Sequence, residues 1–448
     1  MTKNPPALVL LVCAGLLFAG CTETQREKAT GEGSIRGIHA MASAPEVNFL
    51  IEERSLGKLS YRAVTAPQLF DDLVYDFNFD TRFPGDAEIL RLATVSADIQ
   101  PDTDYVFALT GTVDAPSIVV WETPERVFEE GETAFEASIG HLAAGSGDLD
   151  VYLAPPGTAP VAGQARGTLA FGELLPPFEA EAGKWVLTVT AAGDPAAVLF
   201  RSTTQSLAER SRVLFTIQDA GSSLTSELAV QRMTREGAAA PLADSRFPPT
   251  RRFFHAASGT AGLDVVVDKN FAAPIVSGLA FGQVSPDVEV PSGESTYSFT
   301  QAGNPGAILH EEEDSTAANS RSISFIAGAP ADLELVTFPD DRRPIPRIAK
   351  LRATLLSANF EEADIYLLES GTDIADKAPG FNGIESLVST GYLQLAPGRY
   401  DLTVTVAGEK TVAAGPLTLD LASGDIRDFA IIDTPDPNVL DIVGVAPP

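Results

Sequence analysis

Internal repetition constrains the fold of this 448-residue chain more than any other feature of its sequence. His141 opens the segment HLAAGSGDLDVYL and His255 opens HAASGTAGLDVVV, and in each segment an Asp follows nine residues later. Both segments continue to an identical Leu-Ala-Phe-Gly element, at 169–172 and 279–282, and then to AGDPAAVL or AGNPGAIL. The offset between the copies is 114 residues at the histidine and 110 at both later elements. This repetition predicts two copies of one structural unit.

Two weaker copies flank this pair. His39 and Asn48 stand at the histidine and aspartate positions of an earlier copy, and Leu355 and Asp364 stand at those positions of a later one. Pro-bearing stretches separate the third copy from its neighbours on both sides, as expected of joints between domains. The copies predict four units, at 34–124, 135–235, 248–338 and 346–444.

Hydrophobic residues alternate with polar ones inside each unit. Trp185, Leu187 and Val189 take every second position, which is typical of a strand with one face in a core and one in water. Short strands in units of about 100 residues predict an all-β chain of four tandem Ig-like β-sandwich domains. We expect brief helical turns in two stretches, 206–210 and 225–235.

The first twenty residues, 1–20, are typical of a secretory signal. Ala7–Ala19 carries no charge and is too short to span a membrane as a helix, which needs about twenty apolar residues. The segment ends in Leu-Phe-Ala-Gly before Cys21, a pattern that resembles the lipobox of bacterial lipoproteins, with Phe18 where that pattern prefers Leu. The resemblance implies cleavage before Cys21 and lipidation of its thiol. The alternative is an ordinary secretory signal followed by a chance cysteine.

Lipidation would hold the chain at a membrane without a spanning helix, because acyl chains stabilise insertion by about 0.8 kcal/mol per buried CH₂. Residues 21–33 then form a lipidated flexible tether. Cys13 lies in the discarded segment, so we expect no disulfide in the mature chain. Thr22 stands where an Asp often signals inner-membrane retention, which implies the outer membrane, on either its periplasmic or its outer face.

The repeated polar positions are the candidates for chemistry. A metal site or a catalytic triad at His39, His141 and His255 would occur once per unit rather than as one shared centre. We therefore expect these rings to pack at strand entries and to bond nearby backbone.

The carboxylates Asp150, Asp264 and Asp364, with Asn48 at the same position, suggest acid–base or calcium chemistry. Their place just before an apolar strand favours a turn or backbone-bonding role, which Asp and Asn share. The sequence predicts no catalytic residue, no metal site and no cofactor.

Four elements of the repeat together resemble the DUF4397 family. They are the histidine-to-aspartate opening, the Leu-Ala-Phe-Gly element, the aromatic strand after a Gly and the AG[DN]PxA[VI]L strand. The resemblance covers 135–338 best and extends to the outer units. It implies extracellular bacterial β-sandwich domains in tandem, found on membrane-anchored or cell-surface proteins, and it implies no enzymatic activity.

The charge balance bears on the class of partner that the chain can bind. Acidic residues outnumber basic ones 61 to 31, which disfavours nucleic acid as a partner. We expect a non-enzymatic, lipid-anchored rod of four modules in the cell envelope, with a structural or binding role toward an unknown envelope protein or glycan. The alternatives are a glycan- or polymer-binding adhesin and, third, an envelope hydrolase.

Overall fold

The computed structural model describes residues 29–235 and 237–445. The predicted signal segment, Cys21 and most of the predicted tether lie outside these residues. The described part of the chain is built from β-strands, with one short 3₁₀ turn. It contains no helix long and apolar enough to cross a membrane.

Module 1 is a two-sheet sandwich whose strands lie between residues 32 and 124. Its eight strands are β1 (Glu32–His39), β2 (Val47–Ile51), β3 (Arg54–Leu59), β4 (Gln68–Asp71), β5 (Val74–Thr81), β6 (Leu90–Asp98), β7 (Thr103–Thr112) and β8 (Ala115–Pro124). One sheet has the order β4-β1-β7-β8 and the other has the order β3-β2-β5-β6. The pair β1 and β7 is parallel, and every other pair is antiparallel.

Module 2 lies between residues 134 and 242 and repeats this topology with two added strands. Its elements are β9 (Ala134–Leu142), β10 (Leu149–Ala154), β11 (Gly167–Leu169), β12 (Leu174–Glu181), β13 (Gly183–Ala191), β14 (Val198–Arg201), β15 (Gln205–Leu207), β16 (Arg212–Asp219), the 3₁₀ turn η1 (Gly221–Ser223), β17 (Leu228–Thr234) and β18 (Ala240–Leu242). The sheets are β12-β9-β16-β17-β18 and β11-β10-β13-β14, with β15 on β13.

The helical turns expected in module 2 are wrong. The first stretch overlaps the end of β15, which pairs with β13. The second stretch contains β17, which pairs with β16 from Asp219 and Leu228 to Val213 and Thr234. Pairing with neighbouring strands outweighs the helix preference of single residues, which is worth less than about 1 kcal/mol each. The added strand β18 also extends module 2 beyond the predicted end at residue 235.

Modules 3 and 4 have the same eight-strand topology as module 1. Module 3 contains β19 (Thr250–Ala257), β20 (Leu263–Val267), β21 (Val276–Leu279), β22 (Val288–Glu289), β23 (Gly293–Gln301), β24 (Asn304–Thr316), β25 (Arg321–Ala329) and β26 (Asp332–Pro339). Module 4 contains β27 (Ala349–Leu356), β28 (Glu362–Glu369), β29 (Phe381–Glu385), β30 (Leu393–Leu395), β31 (Gly398–Val406), β32 (Val412–Leu421), β33 (Ile426–Asp433) and β34 (Leu440–Gly444).

Each module has its own apolar core between its two sheets. The first strand of every module is nevertheless buried on both faces, as its nearly continuous burial shows. In β1, Ile35 points into the core of module 1, whereas Ile38 packs against module 2. In β19, Phe253 lies in the core of module 3 and Phe254 packs against module 4. The outer face of this strand therefore forms a contact between modules.

The modules are joined in pairs, and the pairs touch each other. Apolar clusters lie between modules 1 and 2 and between modules 3 and 4. Phe83 of module 1 packs against Ile345 and Ile348, which precede module 4. A rod of modules that touch only their sequence neighbours does not have this last contact, so the expected rod is wrong in this respect.

Candidate functional site

The three repeat histidines are fully buried. They lie near the end of the first strand of modules 1, 2 and 3 rather than at its entry, and each is paired with a residue of the parallel neighbouring strand. Each Nε2 contacts a backbone carbonyl six residues later, and each Nδ1 accepts the N–H two residues later. The Nε2 contacts are His39 to Pro45 O (2.8 Å), His141 to Gly147 O (3.2 Å) and His255 to Ala261 O (3.0 Å).

This bonding assigns the histidines a neutral ring that donates from Nε2 and accepts at Nδ1. Burial lowers the pKa of His39 to about 4 and lowers the pKa of His141 and His255 as well. Both ring nitrogens are engaged by backbone, so no lone pair is available for a metal ion. These groups organise the turn that follows the strand.

Two of the repeated aspartates, Asp264 and Asp364, lie in the second strand of their modules and bind backbone N–H groups on both sides of it. Asp264 accepts from Gly278 N (2.7 Å) and Gly303 N (2.9 Å). Asp364 does the same with Gly383 N (2.7 Å) and Gly408 N (3.0 Å). Each carboxylate thus connects the third strand to the turn after the fifth.

The other two copies of this position make different contacts. Asp150 accepts from Gly193 N (2.8 Å) and from the hydroxyl of Thr168 (2.5 Å). Asn48 accepts the hydroxyl of Ser55. No group of three or more His, Cys, Asp or Glu side chains able to hold a metal ion is present within the described residues.

The Leu-Ala-Phe-Gly element is the turn that closes over the histidine. Gly172 and Gly282 have positive φ angles of 86° and 74°, and each donates its N–H to the carbonyl of the repeat histidine at 2.8 Å. Arg62 donates to His39 O and Leu387 donates to Leu355 O, both at 2.7 Å and with φ angles of 71° and 69°. This backbone position therefore exists in all four modules, although the sequence motif is visible in two.

An aromatic ring precedes the positive-φ residue in three modules. Tyr61, Phe171 and Phe281 stand edge-on to the repeat histidines, with ring centroids 5.8–6.1 Å apart. Tyr61 is half-buried, and its hydroxyl donates to Asp219 O of module 2 at 2.7 Å. Phe171 is 42% exposed and Phe281 is 38% exposed. Modules 2 and 3 thus present matched aromatic rings to solvent.

The junction of modules 1 and 2 is centred on Trp121, which projects from β8. Its Nε1 donates to Gly172 O at 2.8 Å, and its ring lies over Gly140 of β9. This ring is buried between two modules. Trp185, in contrast, packs against the core of module 2 and donates to Glu181 O.

Arginine recurs three residues before the histidine position in three modules, at Arg36, Arg252 and Arg352. All three side chains are buried. Arg36 donates to the carbonyl oxygens of Thr234, Arg235 and Gly237, which belong to module 2 or follow its strand β17. The sequence analysis missed this position, although a charged residue that recurs inside an apolar strand was its visible signal.

The equivalent arginines of modules 3 and 4 form ion pairs. Arg252 pairs with Asp340 at 2.9 Å, and both side chains are at most 2% exposed. Arg352 pairs with Asp428 of β33. Arg352 also donates to Pro339 O at 2.8 Å, at the end of module 3. The arginine position thus lies at the junction of modules 3 and 4, as it does at the junction of modules 1 and 2.

The segment 340–348, the linker between modules 3 and 4, meets module 1. Arg343 donates through Nη1 to Ala42 O (2.7 Å) and Ala44 O (3.0 Å), and its guanidinium lies 4.7 Å from the centre of the Tyr61 ring. Arg347 pairs with Asp86 at 2.8 Å. These contacts join module 1 to the segment that precedes module 4.

Comparison with known proteins adds the family. The family described as domain of unknown function, DUF4397, matches residues 33–152 and 250–366, more than half of the chain. Its first match covers module 1, which the sequence analysis included only by extension, and ends at β10. No curated protein matches the chain. The solved structure of the Bacillus anthracis TIE protein is similar over 91% of this chain and 69% of its own, at 10% identity and a TM-score of 0.16, which supports no inference. The chain belongs to the DUF4397 family.

Proposed function

We propose that this chain is a lipid-anchored protein of the cell envelope whose β-sandwich modules serve a structural or binding role without catalysis. The observation that carries the proposal is the set of hydrogen bonds made by the repeated polar groups. Both nitrogens of each repeat histidine and both carboxylate oxygens of Asp150, Asp264 and Asp364 bond to groups within their own module. Groups held in this way maintain turns and are not positioned to act on a substrate.

The same geometry argues against an envelope hydrolase. Thr260 lies 3.2 Å from His255 Nε2, the arrangement in which a base would activate a hydroxyl. The Thr260 hydroxyl, however, donates to Ala257 O at 2.8 Å, and Nε2 carries the hydrogen that contacts Ala261 O. This histidine therefore has no lone pair directed at the hydroxyl.

The anchoring half of the proposal comes from the sequence before Cys21 and is tested at that residue. Full-length chain with Cys21→Ala should lose labelling by a fatty-acid analogue and move from the membrane fraction to the soluble fraction. Cys13→Ala is the matched control, because it removes a thiol from the predicted signal segment, and it should fractionate like the parent. Unchanged labelling and fractionation of the Cys21→Ala chain would refute the anchor.

Glycan binding is a second candidate, favoured by the exposed rings of Phe171 and Phe281. Aromatic faces stack on sugar rings, and two matched rings on neighbouring modules would allow a repeating polymer to bind twice. The full chain should bind members of a glycan array, and the double variant Phe171→Ala with Phe281→Ala should lose that binding. Val127→Ala, an exposed apolar position elsewhere, is the control. A blank array would refute this candidate.

A further inference from the structure

A cleft of about 460 Å³ opens between the two sheets of module 4. It lies between β32 and β34, each of which is the last strand of its sheet. We call it the module 4 cleft. Leu417, Leu419 and Ile442 line it, are half-buried and pack against the core of the module. The core of module 4 is therefore open to solvent at this edge.

The same edge is covered in module 2 by the added strand β18. Leu242 of β18 lies opposite Val230 of β17, and Ala240 lies opposite Arg232. Leu242 is buried in the core of module 2. The Arg232 side chain also reaches β15 beside the other sheet, where Nη1 donates to Gln205 Oε1 at 3.4 Å. A strand and a long side chain thus close the sandwich at this edge.

The strand register identifies the residues of module 4 that correspond to the positions covered by β18. From the repeat histidine position, the pairing leads across two neighbouring strands to Val230 in module 2 and to Ile442 in module 4. Gly444 is then the counterpart of Arg232, and both Ile442 and Gly444 line the module 4 cleft. Within the described residues, β33 is the only strand paired with β34. Module 4 thus lacks both features that close this edge in module 2.

The glycine at position 444 contributes to the opening. By the same register, Val120 and Thr337 hold this position in modules 1 and 3. Val120 packs against the core of module 1, and the Thr337 hydroxyl donates to Asp314 of the other sheet at 3.0 Å. A Cβ atom at Gly444 would lie 4.0 Å from the Phe429 ring, an ordinary contact. The site therefore has room for a side chain that this module does not provide.

The main chain of β34 directs hydrogen-bonding groups toward the open edge. Val445 N donates to Asp428 O of β33 at 2.7 Å. The N–H and C=O groups of an antiparallel strand alternate in direction, so those of Gly444 and Ile442 point away from β33. A further strand can pair with such groups. The equivalent edge of β17 is paired with β18 in this way.

We propose that the free edge of β34 binds an extended segment of a partner protein, which adds to the sheet antiparallel to β34. Main-chain bonds hold an added strand, and pockets select its alternate side chains. By analogy with β18, the segment carries an aliphatic residue opposite Ile442 and a small residue opposite Gly444, both directed into the module 4 cleft. The net charge of −30 disfavours a second copy of this chain as the partner. The proposal specifies a surface for the binding role proposed above and is independent of anchoring, which Cys21→Ala tests.

The test supplies such a segment to the purified full chain. The sequence Ala-Ala-Pro-Leu-Ala, copied from residues 239–243, is fused after Pro448 through a short Gly–Ser linker. Fusion raises the effective concentration to about the millimolar range, so that weak pairing is detected. Hydrogen exchange followed by mass spectrometry should slow at least tenfold in residues 440–445. The unfolding temperature of module 4 should rise by about 4 °C or more.

Three controls identify the contact. A fused copy that carries Leu242→Asp should give no protection, because it would place a charge in an apolar cleft. Gly444→Pro removes an outward N–H without removing a bond to β33, so it should abolish the protection in the fused chain. Gly444→Ala keeps that N–H and is the matched variant, which should retain the protection. The Leu242→Asp copy leaves module 4 itself unchanged and keeps the test decisive if Gly444→Pro folds poorly.

Equal hydrogen exchange in the fused and unfused chains would overturn the proposal. Equal protection by the two fused copies would overturn it as well, because the cleft would not select the side chain. A dimer of the unfused chain that sedimentation detects and Gly444→Pro dissociates would assign the edge to a second copy and overturn the choice of partner.

Discussion

Gly140→Ala should separate modules 1 and 2 locally while leaving both cores folded. A Cβ atom at this position would lie 2.2 Å from the nearest ring carbon of Trp121 and within 2.6 Å of two others. Ordinary contacts begin at 3.4 Å, so the ring must move by more than 1 Å. Overpacking of this kind costs about 1–3 kcal/mol. Displacement of the ring also stretches the bond from Trp121 Nε1 to Gly172 O, which contributes about 1 kcal/mol.

The assay is urea unfolding followed by intrinsic fluorescence. The chain contains two tryptophans, and Trp121 is the one at the junction, so its emission should shift to longer wavelength in the native Gly140→Ala chain. The first unfolding transition should lose about 2–4 kcal/mol, the sum of the two costs. Gly147→Ala is the control, because no atom lies within 4 Å of a Cβ there, and it should unfold like the parent.

A double-mutant cycle tests the cause. Trp121→Leu removes the ring that the new methyl group meets, so Gly140→Ala should cost less than about 0.5 kcal/mol in that background. The coupling energy should then be about 2 kcal/mol or more. An equal cost of Gly140→Ala in both backgrounds would show that the glycine is needed for the backbone of β9 and not for this contact, and the reasoning would fail.

Three further predictions concern the buried polar groups. The pKa of His39 is lowered to about 4, so the unfolded chain binds more protons than the folded chain below pH 6.5. The free energy of unfolding should therefore fall from about pH 6.5 toward pH 4, by up to about 3 kcal/mol from this residue. His39→Gln should flatten that part of a stability–pH profile measured by urea unfolding. Asp264→Ala leaves two backbone N–H groups without their acceptor and should cost module 3 about 2–4 kcal/mol in thermal unfolding, whereas an unchanged transition would contradict the bridging role. Arg352→Met leaves Asp428 buried without its cation and should destabilise module 4 by about 3–5 kcal/mol; adding Asp428→Leu should restore most of that loss, and failure to do so would assign the cost to packing.

The fold class could be predicted from the sequence because strand periodicity and repetition are local signals. Each unit alternates apolar and polar residues, and the all-β sandwich fold predicted from this pattern is confirmed. The helical turns were wrong because helix preference in 225–235 is weak beside the pairing of β17 with β16. The bonds of Asp264 and His255 follow from residue chemistry at a repeated position, which the sequence also shows.

The junctions between modules could not be predicted, because a sequence does not state which surface covers the outer face of a strand. A sign of such a junction was present in the sequence of β19, where Arg252 and Phe254 take the positions that would face water in a half-buried strand. A strand that is apolar on both faces indicates a second contact, but it does not identify the partner. Trp121 shows the same limit, since its burial depends on a neighbour more than fifty residues away.

The pair of modules is the larger repeat in this chain. Both family matches extend past a complete sandwich into the first two strands of the next one, to residue 152 in module 2 and to residue 366 in module 4. Those strands include β9 and β27, which provide the outer faces that pack against modules 1 and 3. Two equivalent pairs, each with an internal apolar junction, therefore follow one another in the chain. The contacts of Arg343 and Ile345 with module 1 then join one pair to the other, so a change in this linker alters how the two pairs are held together.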